Sequence, residues 1–178
     1  MSASLNAQNA IKFNPLGALF GNLGFGFEHA LNDNSSVQLN AGVLSKTYDF
    51  GGFFGSSGYK IKYSGFQVSP EYRMYFDQSI RGWYAGAFVN YNSVTVKTEY
   101  TDNSTIEDTK STISNVGGGI EFGRQWLLGG NENFVIDLNL GAGYQSASVD
   151  GGDDSDIEFS LAASGVWPKL SFAVGYAF

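Results

Sequence analysis

The side chains that could move protons in this sequence are seven charged residues at matching positions of its alternating segments. The acidic ones are Glu28, Glu71, Glu121 and Asp137, and the basic ones are Lys12, Arg73 and Lys169. Neighbouring carboxylates can act as a general acid and base or as a proton path. Three positive and four negative groups can equally pair with one another, and buried charges that stay unpaired are costly. We therefore expect a packed polar network rather than a catalytic pair.

Nucleophilic catalysis has little support in the sequence. The chain contains no Cys and a single His, and no Ser in the segment around His29 supplies an obvious nucleophile. We interpret His29 as a structural or interfacial residue rather than a member of a catalytic triad. The many Gly residues alternate along the segments and lack the GxxxxGK[ST] spacing of a phosphate-binding loop. We expect no enzymatic activity.

Residues 150–158, DGGDDSDIE, are the most suggestive polar stretch of the chain. They offer several hard oxygen ligands within seven residues, namely Asp150, Asp153, Asp154 and Asp156. Their spacing is not that of a calcium-binding loop. An ordinary solvated loop is the favoured interpretation, a divalent-cation site is the weaker alternative, and no other cofactor is expected.

The elements that must position these side chains follow from a hydrophobic period of two. Large apolar residues alternate with small or polar ones, which is typical of β-strands. The alternating segments include residues 11–13, 23–28, 37–43, 66–76, 83–92, 116–123, 134–145 and 169–178. The sequence therefore predicts eight strands.

The connections between these strands alternate in length. Short polar turns fall at residues 32–35, 77–82 and 130–133, and longer links fall at 51–60, 101–112 and 150–158. Turns of this kind are rich in residues that accept tight-turn dihedral angles. Short turns at one end and long loops at the other are typical of outer-membrane barrels.

The composition of the two strand faces indicates which one meets lipid. The face opposite the large apolar residues consists chiefly of Gly, Ala, Ser and Asn with a few charges. Such side chains fit a narrow interior better than a solvated surface rich in Lys and Glu. We predict an all-β fold, an eight-stranded antiparallel up-and-down transmembrane β-barrel with a packed polar interior. The alternative is a soluble, lipocalin-like ligand-binding barrel with the apolar face inside.

The end of the chain resembles a known sorting element. Apolar residues alternate up to the last position, at Phe172, Val174, Tyr176 and Phe178. This pattern resembles the C-terminal assembly signal of bacterial outer-membrane barrels. The resemblance implies that the barrel-assembly machinery is a partner during insertion.

A broader resemblance covers the chain from residue 11 onward, which resembles the eight-stranded, OmpA-like class of outer-membrane barrels. The opening segment resembles small Bacteroidota barrels that are functionally uncharacterised as a family, at Lys12, Asn14, Gly21 and Glu28. The resemblance implies a location in the cell outer membrane, with long loops extracellular and termini periplasmic. We expect residues 1–10 to be a leader or signal-peptide remnant, and residues 11–178 to form a single transmembrane barrel domain.

A structural or interaction role is the expected function, either alone or as a subunit of a larger outer-membrane assembly. The expected partners are outer-membrane lipid and lipopolysaccharide, and an outer-membrane protein that could contact Phe53, Phe54 and Tyr59. A net charge of −7 argues against nucleic acid, which requires a clustered basic surface. The alternatives are a small transporter or pore, and a lipid-modifying barrel enzyme.

Overall fold

The computed structural model describes residues 8–50, 59–100, 109–150 and 164–178. Most of these residues lie in strands. The elements in chain order are β1 (Asn9–Asn14), α1 (Pro15–Leu19), β2 (Asn22–Asn32), β3 (Ser35–Phe50), β4 (Tyr59–Tyr75), β5 (Gly82–Tyr100), β6 (Thr109–Leu128), β7 (Phe134–Asp150) and β8 (Gly165–Ala177).

The strands form a closed barrel. Each strand pairs antiparallel with its neighbour along the chain, and β8 pairs with β1. The seam between β1 and β8 extends over four residue pairs, beginning with Ala10 opposite Ala177. Beyond these pairs, the N–H of Asn9 donates to the carbonyl of Phe178 (3.0 Å), and the N–H of Phe178 donates to the carbonyl of Asn9 (2.9 Å). The predicted eight-stranded antiparallel barrel is confirmed.

Side chains alternate between the lumen and the outer surface, because successive residues of a strand point to opposite faces. On the outside, Ile120 and Leu170 are each 71% exposed, whereas Tyr84 and Phe88 are buried inside. A continuous apolar outer wall suits lipid rather than water. The soluble alternative required the apolar face to line the lumen, and it does not fit this arrangement.

The polarity of the two faces reverses toward the end that carries the long connections. On β5 the outward residues change from Val89 and Tyr91 to Ser93 and Thr95, while the inward residue Val94 is apolar. A barrel wall surrounded by water is polar outside and apolar inside. At the end that carries the long connections, the strands therefore have the pattern of a barrel wall surrounded by water rather than by lipid.

This reversal explains why β4 and β6 begin inside two of the predicted links, 51–60 and 101–112, and why β7 continues past the end of its predicted strand. The structure extends β4 back to Tyr59, β6 back to Thr109 and β7 forward to Asp150. In these extensions the outward face is polar, so the apolar-outside pattern that identified the other strands is absent. The three short turns are confirmed, at residues 33–34, 76–81 and 129–133.

The start of the barrel also differs from the prediction. β1 begins at Asn9, two residues before the expected boundary, because Ala10 is paired with Glu28 on one side and Ala177 on the other. Residues 9 and 10 therefore belong to the barrel and not to a leader. Gln8 is also described, and its N–H donates to the carbonyl of Phe178 (3.1 Å). The rest of the predicted leader, residues 1–7, lies outside the described residues.

The connection between β1 and β2 contains the short helix α1. It begins at Pro15, and the side chain of Asn14 caps it by accepting a hydrogen bond from the N–H of Gly17 (2.8 Å). Pro is favoured at this first position because its missing N–H is not needed there. Among the described residues, no helix has the length and hydropathy needed to cross a membrane.

The packed lumen gives the first testable prediction. Gly123 faces inward, and a Cβ atom there would lie 2.6 Å from the hydroxyl oxygen of Tyr84. We expect Gly123→Ala to lower the free energy of unfolding by about 1–3 kcal/mol, because a filled interior tolerates extra volume poorly. Gly130→Ala is the matched control, since no atom lies within 4 Å of its added Cβ. Urea unfolding in detergent measures both, and equal effects would contradict a packed lumen.

Candidate functional site

The seven charged residues singled out in the sequence meet inside the barrel. They are inward-facing residues on six different strands, and they lie in the half of the lumen nearer the short turns. Their side chains join one network of ion pairs and hydrogen bonds, comprising Lys12, Glu28, Glu71, Arg73, Glu121, Asp137 and Lys169. We call these residues the lumen network.

Arg73 is at the centre of the lumen network. Its guanidinium contacts Asp137 Oδ2 at 2.6 Å, Glu71 Oε2 at 2.8 Å and Glu121 Oε1 at 3.3 Å. The side chain is only 1% exposed, and it lies 4.5 Å from the centroid of the Tyr84 ring. A guanidinium has five N–H donors in a fixed plane, so a single arginine can bind several carboxylates at once.

Lys12 forms the part of the network nearest the short turns. Its Nζ contacts Glu28 Oε2 at 2.6 Å and Asp137 Oδ2 at 2.8 Å, and it also donates to Gln38 and Gln125. The ammonium is therefore neutralised by two carboxylates and solvated by two amide oxygens. A buried lysine without such partners would be strongly disfavoured.

Lys169 forms the opposite part of the network, facing the long connections. Its Nζ contacts Glu71 Oε1 at 2.5 Å and Glu121 Oε2 at 2.6 Å, and its side chain is 13% exposed. The ammonium also lies 4.2 Å from the centroid of the Phe88 ring. Lys169 therefore separates the sealed part of the lumen from the open part.

Neutral side chains that the sequence analysis did not single out complete the network. The hydroxyl of Tyr75 donates to Glu28 Oε1 (2.6 Å), and the hydroxyl of Tyr84 donates to Asp137 Oδ1 (2.8 Å). Gln125 both accepts from Lys12 and donates to the carbonyl of Ile80 (2.8 Å). The signal that could have found them is strand parity, because each lies on the same inward face as the charged residues.

An apolar cap closes the lumen at the end of the short turns. Ile80, in the turn between β4 and β5, is fully buried and clusters with Ala10, Val135 and Ala177. Its φ angle of 63° lies in the left-handed region, which β-branched residues rarely adopt. The backbone strain is tolerated because the side chain is held inside the mouth of the barrel.

Above the lumen network lies a cavity of about 570 Å³. Lys169, Glu71 and Arg73 are among the residues at its base, and Gly17 and Asn22 border it near α1. Its wall also includes Trp167. The wall is rich in side-chain amides, at Asn40, Gln67, Asn90, Asn92 and Gln145. The cavity ends at the network and does not continue through the capped half of the lumen.

The structure describes only some residues of the other predicted sites. His29 is on the outer face near the short turns, where its Nδ1 is 2.8 Å from Asn9 Oδ1. Tyr59 is the first residue of β4 and Asp150 is the last residue of β7. The rest of the predicted contact loop and acidic loop lies outside the described residues, namely Phe53, Phe54, Asp153, Asp154 and Asp156. In the described ranges no three His, Cys, Asp or Glu residues lie close enough to hold a metal ion.

The predicted assembly signal follows the outer side of the closing strand. Tyr176 of β8 is opposite Ile11 and Val174 is opposite Phe13. Phe178 directly follows β8, and its side chain is 52% exposed. Phe172, Val174 and Tyr176 share the outward face of the strand, because Ala177 on the other face is buried.

Comparison with known proteins gives a family and a set of structural relatives. A family described as "Protein of unknown function (DUF3575)" matches residues 1–152. A search of the curated proteins found no match.

Three solved structures are similar to this chain. The attachment invasion locus protein Ail of Yersinia pestis is 14% identical, with 98% of this chain and 100% of that chain covered and a TM-score of 0.50. CarO2 of Acinetobacter baumannii is 10% identical over 97% and 98% of the two chains, with a TM-score of 0.48. The N-terminal barrel domain of Pseudomonas aeruginosa OprF is 15% identical over 96% of each, with a TM-score of 0.41. The likeness to Ail shows the fold of a small outer-membrane β-barrel.

The second prediction compares a buried cation with an exposed one. Arg73→Met leaves several buried carboxylates without their shared partner, and we expect it to lower the free energy of unfolding by about 3–5 kcal/mol. Arg81→Met breaks the exposed pair with Glu132, whose N–O distance of 2.7 Å is almost the same, and should cost less than about 1 kcal/mol. Urea unfolding of both variants in lipid vesicles checks the difference. Similar losses would mean that the lumen network is not a coupled unit.

Proposed function

This chain belongs to the DUF3575 family, and from that premise we propose that it is a non-enzymatic outer-membrane barrel with a structural or interaction role. The observation that carries the proposal is the closure of the lumen. Ion pairs fill its lower half, and Ile80 caps the mouth beneath them. A barrel with this interior acts through its outer wall and its exposed ends.

The closed lumen argues against a pore. An ion crossing the barrel would have to pass Arg73 and Asp137, which are 1% and 2% exposed and joined by a 2.6 Å contact. It would then have to displace Ile80 from the capped mouth. Separating such a buried pair leaves charges without partners, which is costly. A standing water path through this part of the lumen is therefore not expected.

The pairing of the carboxylates argues against catalysis. A general base must be free to take a proton from a substrate. Glu71 and Glu121 each form ion pairs with Lys169 and Arg73, and Asp137 forms ion pairs with Arg73 and Lys12. These groups already have cationic partners, so we assign them to holding the barrel together.

The proposed orientation has the short turns in the periplasm and the long connections outside the cell. At the short-turn end, Arg124 lies 5.2 Å from the ring centroids of both Trp83 and Trp126. Aromatic rings with a long basic side chain are typical of a membrane–water interface. In this orientation both termini are periplasmic, and a protein partner outside the cell would meet the end of the barrel that carries the long connections.

The closed state predicts no channel activity and no lipid chemistry. We expect the folded protein to give no conductance steps in a planar bilayer, with a porin in the same bilayer as the positive control. We also expect the mass spectrum of lipid A to be unchanged when the protein is expressed. Steady unitary conductance, or a new lipid A species, would contradict the proposal.

The proposed insertion signal gives a separate prediction. We expect Phe178→Ala to reduce the amount of inserted barrel in cells several-fold, because the assembly machinery is proposed to read this residue. The purified variant should keep its stability, since the Phe178 side chain is 52% exposed. Leu170→Ala on the same outer face, at 71% exposure, is the matched control. Inserted protein is measured as the band whose mobility shifts on boiling, and equal insertion of the two variants would contradict the signal.

A further inference from the structure

Arg124 places a positive charge on the outer, apolar wall of the barrel. It is on β6, and the neighbouring outward positions of that strand are Phe122 and Trp126. Across the wall it is opposite Trp83 of β5 and Leu138 of β7. The charged groups of the lumen network lie on inward positions, so the barrel wall separates Arg124 from their carboxylates.

Aromatic rings hold the guanidinium of Arg124. Its Cζ atom lies 5.2 Å from the ring centroid of Trp83 and 5.2 Å from that of Trp126. Trp83 is itself stacked on Phe122, with ring centroids 5.2 Å apart. The ring quadrupole attracts a cation placed over its face. These contacts keep the charge at one place on the wall.

The charge of Arg124 has no anionic partner in the part of the chain that the structure describes. Its Nε is enclosed without a hydrogen-bond acceptor, and no described carboxylate forms an ion pair with it. A ring attracts a cation but does not supply the oxygen acceptors that guanidinium N–H groups need. By contrast, Arg81 at the same end of the barrel pairs with Glu132 at 2.7 Å. Because the Arg124 side chain is only half-buried, an anion outside the barrel can reach it.

The depth of Arg124 in the wall indicates which anion is near. The outward face of β6 is apolar from Val116, and Arg124 lies eight residues further toward the short turns. Eight residues span about 27 Å of strand, or roughly 20 Å along the membrane normal for a tilt of about 40°. The apolar band of an outer-membrane barrel is about 25 Å tall. Arg124 therefore lies near the edge of that band, where a long side chain reaches the lipid headgroups.

We propose that Arg124, held by Trp83 and Trp126, binds the phosphate of a phospholipid headgroup in the periplasmic leaflet. A guanidinium has N–H donors in a fork that matches two phosphate oxygens. The phosphate supplies the negative charge and the acceptors that the described barrel does not provide. The inference rests on the proposed function for the membrane and on the proposed orientation for the leaflet.

The test measures whether phosphate-bearing lipid is enriched beside Arg124. The barrel is folded into vesicles of a neutral, phosphate-free diacyl glycolipid that contain a small fraction of brominated phosphatidylglycerol, which quenches nearby tryptophan fluorescence. Trp83 and Trp126 lie on outward positions, whereas Trp167 lines the lumen cavity. Dividing this quenching by that from the same fraction of brominated glycolipid cancels differences in ring exposure between variants. A ratio above one means enrichment of the phosphate headgroup.

We expect about fivefold enrichment for the original protein and none for Arg124→Gln, because one basic residue near anionic lipid contributes about that factor. Arg81→Gln is the matched control, since it removes an arginine from the same end of the barrel whose charge is already paired. It should keep most of the enrichment. The band that shifts on boiling shows that each variant is folded. Equal ratios for Arg124→Gln and the original protein would overturn the proposal.

A competition arm identifies the source of the phosphate. Inorganic phosphate at the concentration of the brominated lipid, present on both sides of the membrane, should leave the enrichment unchanged. Loss of the enrichment under these conditions would overturn the assignment to a lipid headgroup.

The leaflet is tested separately, because the vesicles have the same lipids on both sides. Asn131 is an exposed residue of a short turn, and Asn131→Cys introduces a single thiol into a chain without Cys. A thiol reagent too large to pass through porins should label it only after the outer membrane is permeabilised. Labelling on intact cells would overturn the proposed orientation and the leaflet, whereas equal ratios in the vesicles would overturn the phosphate site alone.

Discussion

The neutralisation of Arg73 inside the barrel is the constraint on which the interior depends. A buried guanidinium requires carboxylates on several sides, and here they come from β4, β6 and β7. Each of those carboxylates has further partners, so the requirement spreads through Lys12 and Lys169 to six strands. Close packing follows, because glycines such as Gly123 leave room for the aromatic rings that line the network. The half of the lumen nearer the short turns is filled because its charged groups must contact one another.

Much of this could be predicted from the sequence, because a membrane barrel imposes a two-residue period on every strand it contains. That period placed Glu28, Glu71 and Asp137 on one face, and closure of the barrel then left them facing one another. The neutral partners were harder to predict from the sequence, because Gln125 and Tyr75 carry no charge that would assign them to the lumen network. The burial of Ile80 could not be predicted, because the alternation that assigns strand residues to the inner or outer face does not extend to a turn. Its burial depends on how the turn folds back into the mouth of the barrel.

The reversal of face polarity is the part of the fold that the sequence rules missed for a physical reason. The rule of apolar outside and polar inside holds only where lipid surrounds the wall. Beyond Tyr91 the outward side chains are polar, as is typical of a wall surrounded by water, and Val94 and Ser93 exchange the roles expected of their faces. The strand continues with the opposite assignment of polarity. A strand prediction that accepts both the apolar-outside and the polar-outside pattern gives longer strands, and the change from one pattern to the other indicates the edge of the membrane.

The short seam between β1 and β8 has a mechanical consequence. Four residue pairs and the two backbone hydrogen bonds between Asn9 and Phe178 join this seam in the described barrel. Lys12 of β1 contacts Asp137 of β7, so an ion pair links the two strands that flank β8. This ion pair connects the barrel wall from inside across the seam between β1 and β8, where there are few backbone hydrogen bonds. Because both groups are buried, bulk salt screens the tie only weakly, and the resistance of the seam to lateral separation should vary little with ionic strength.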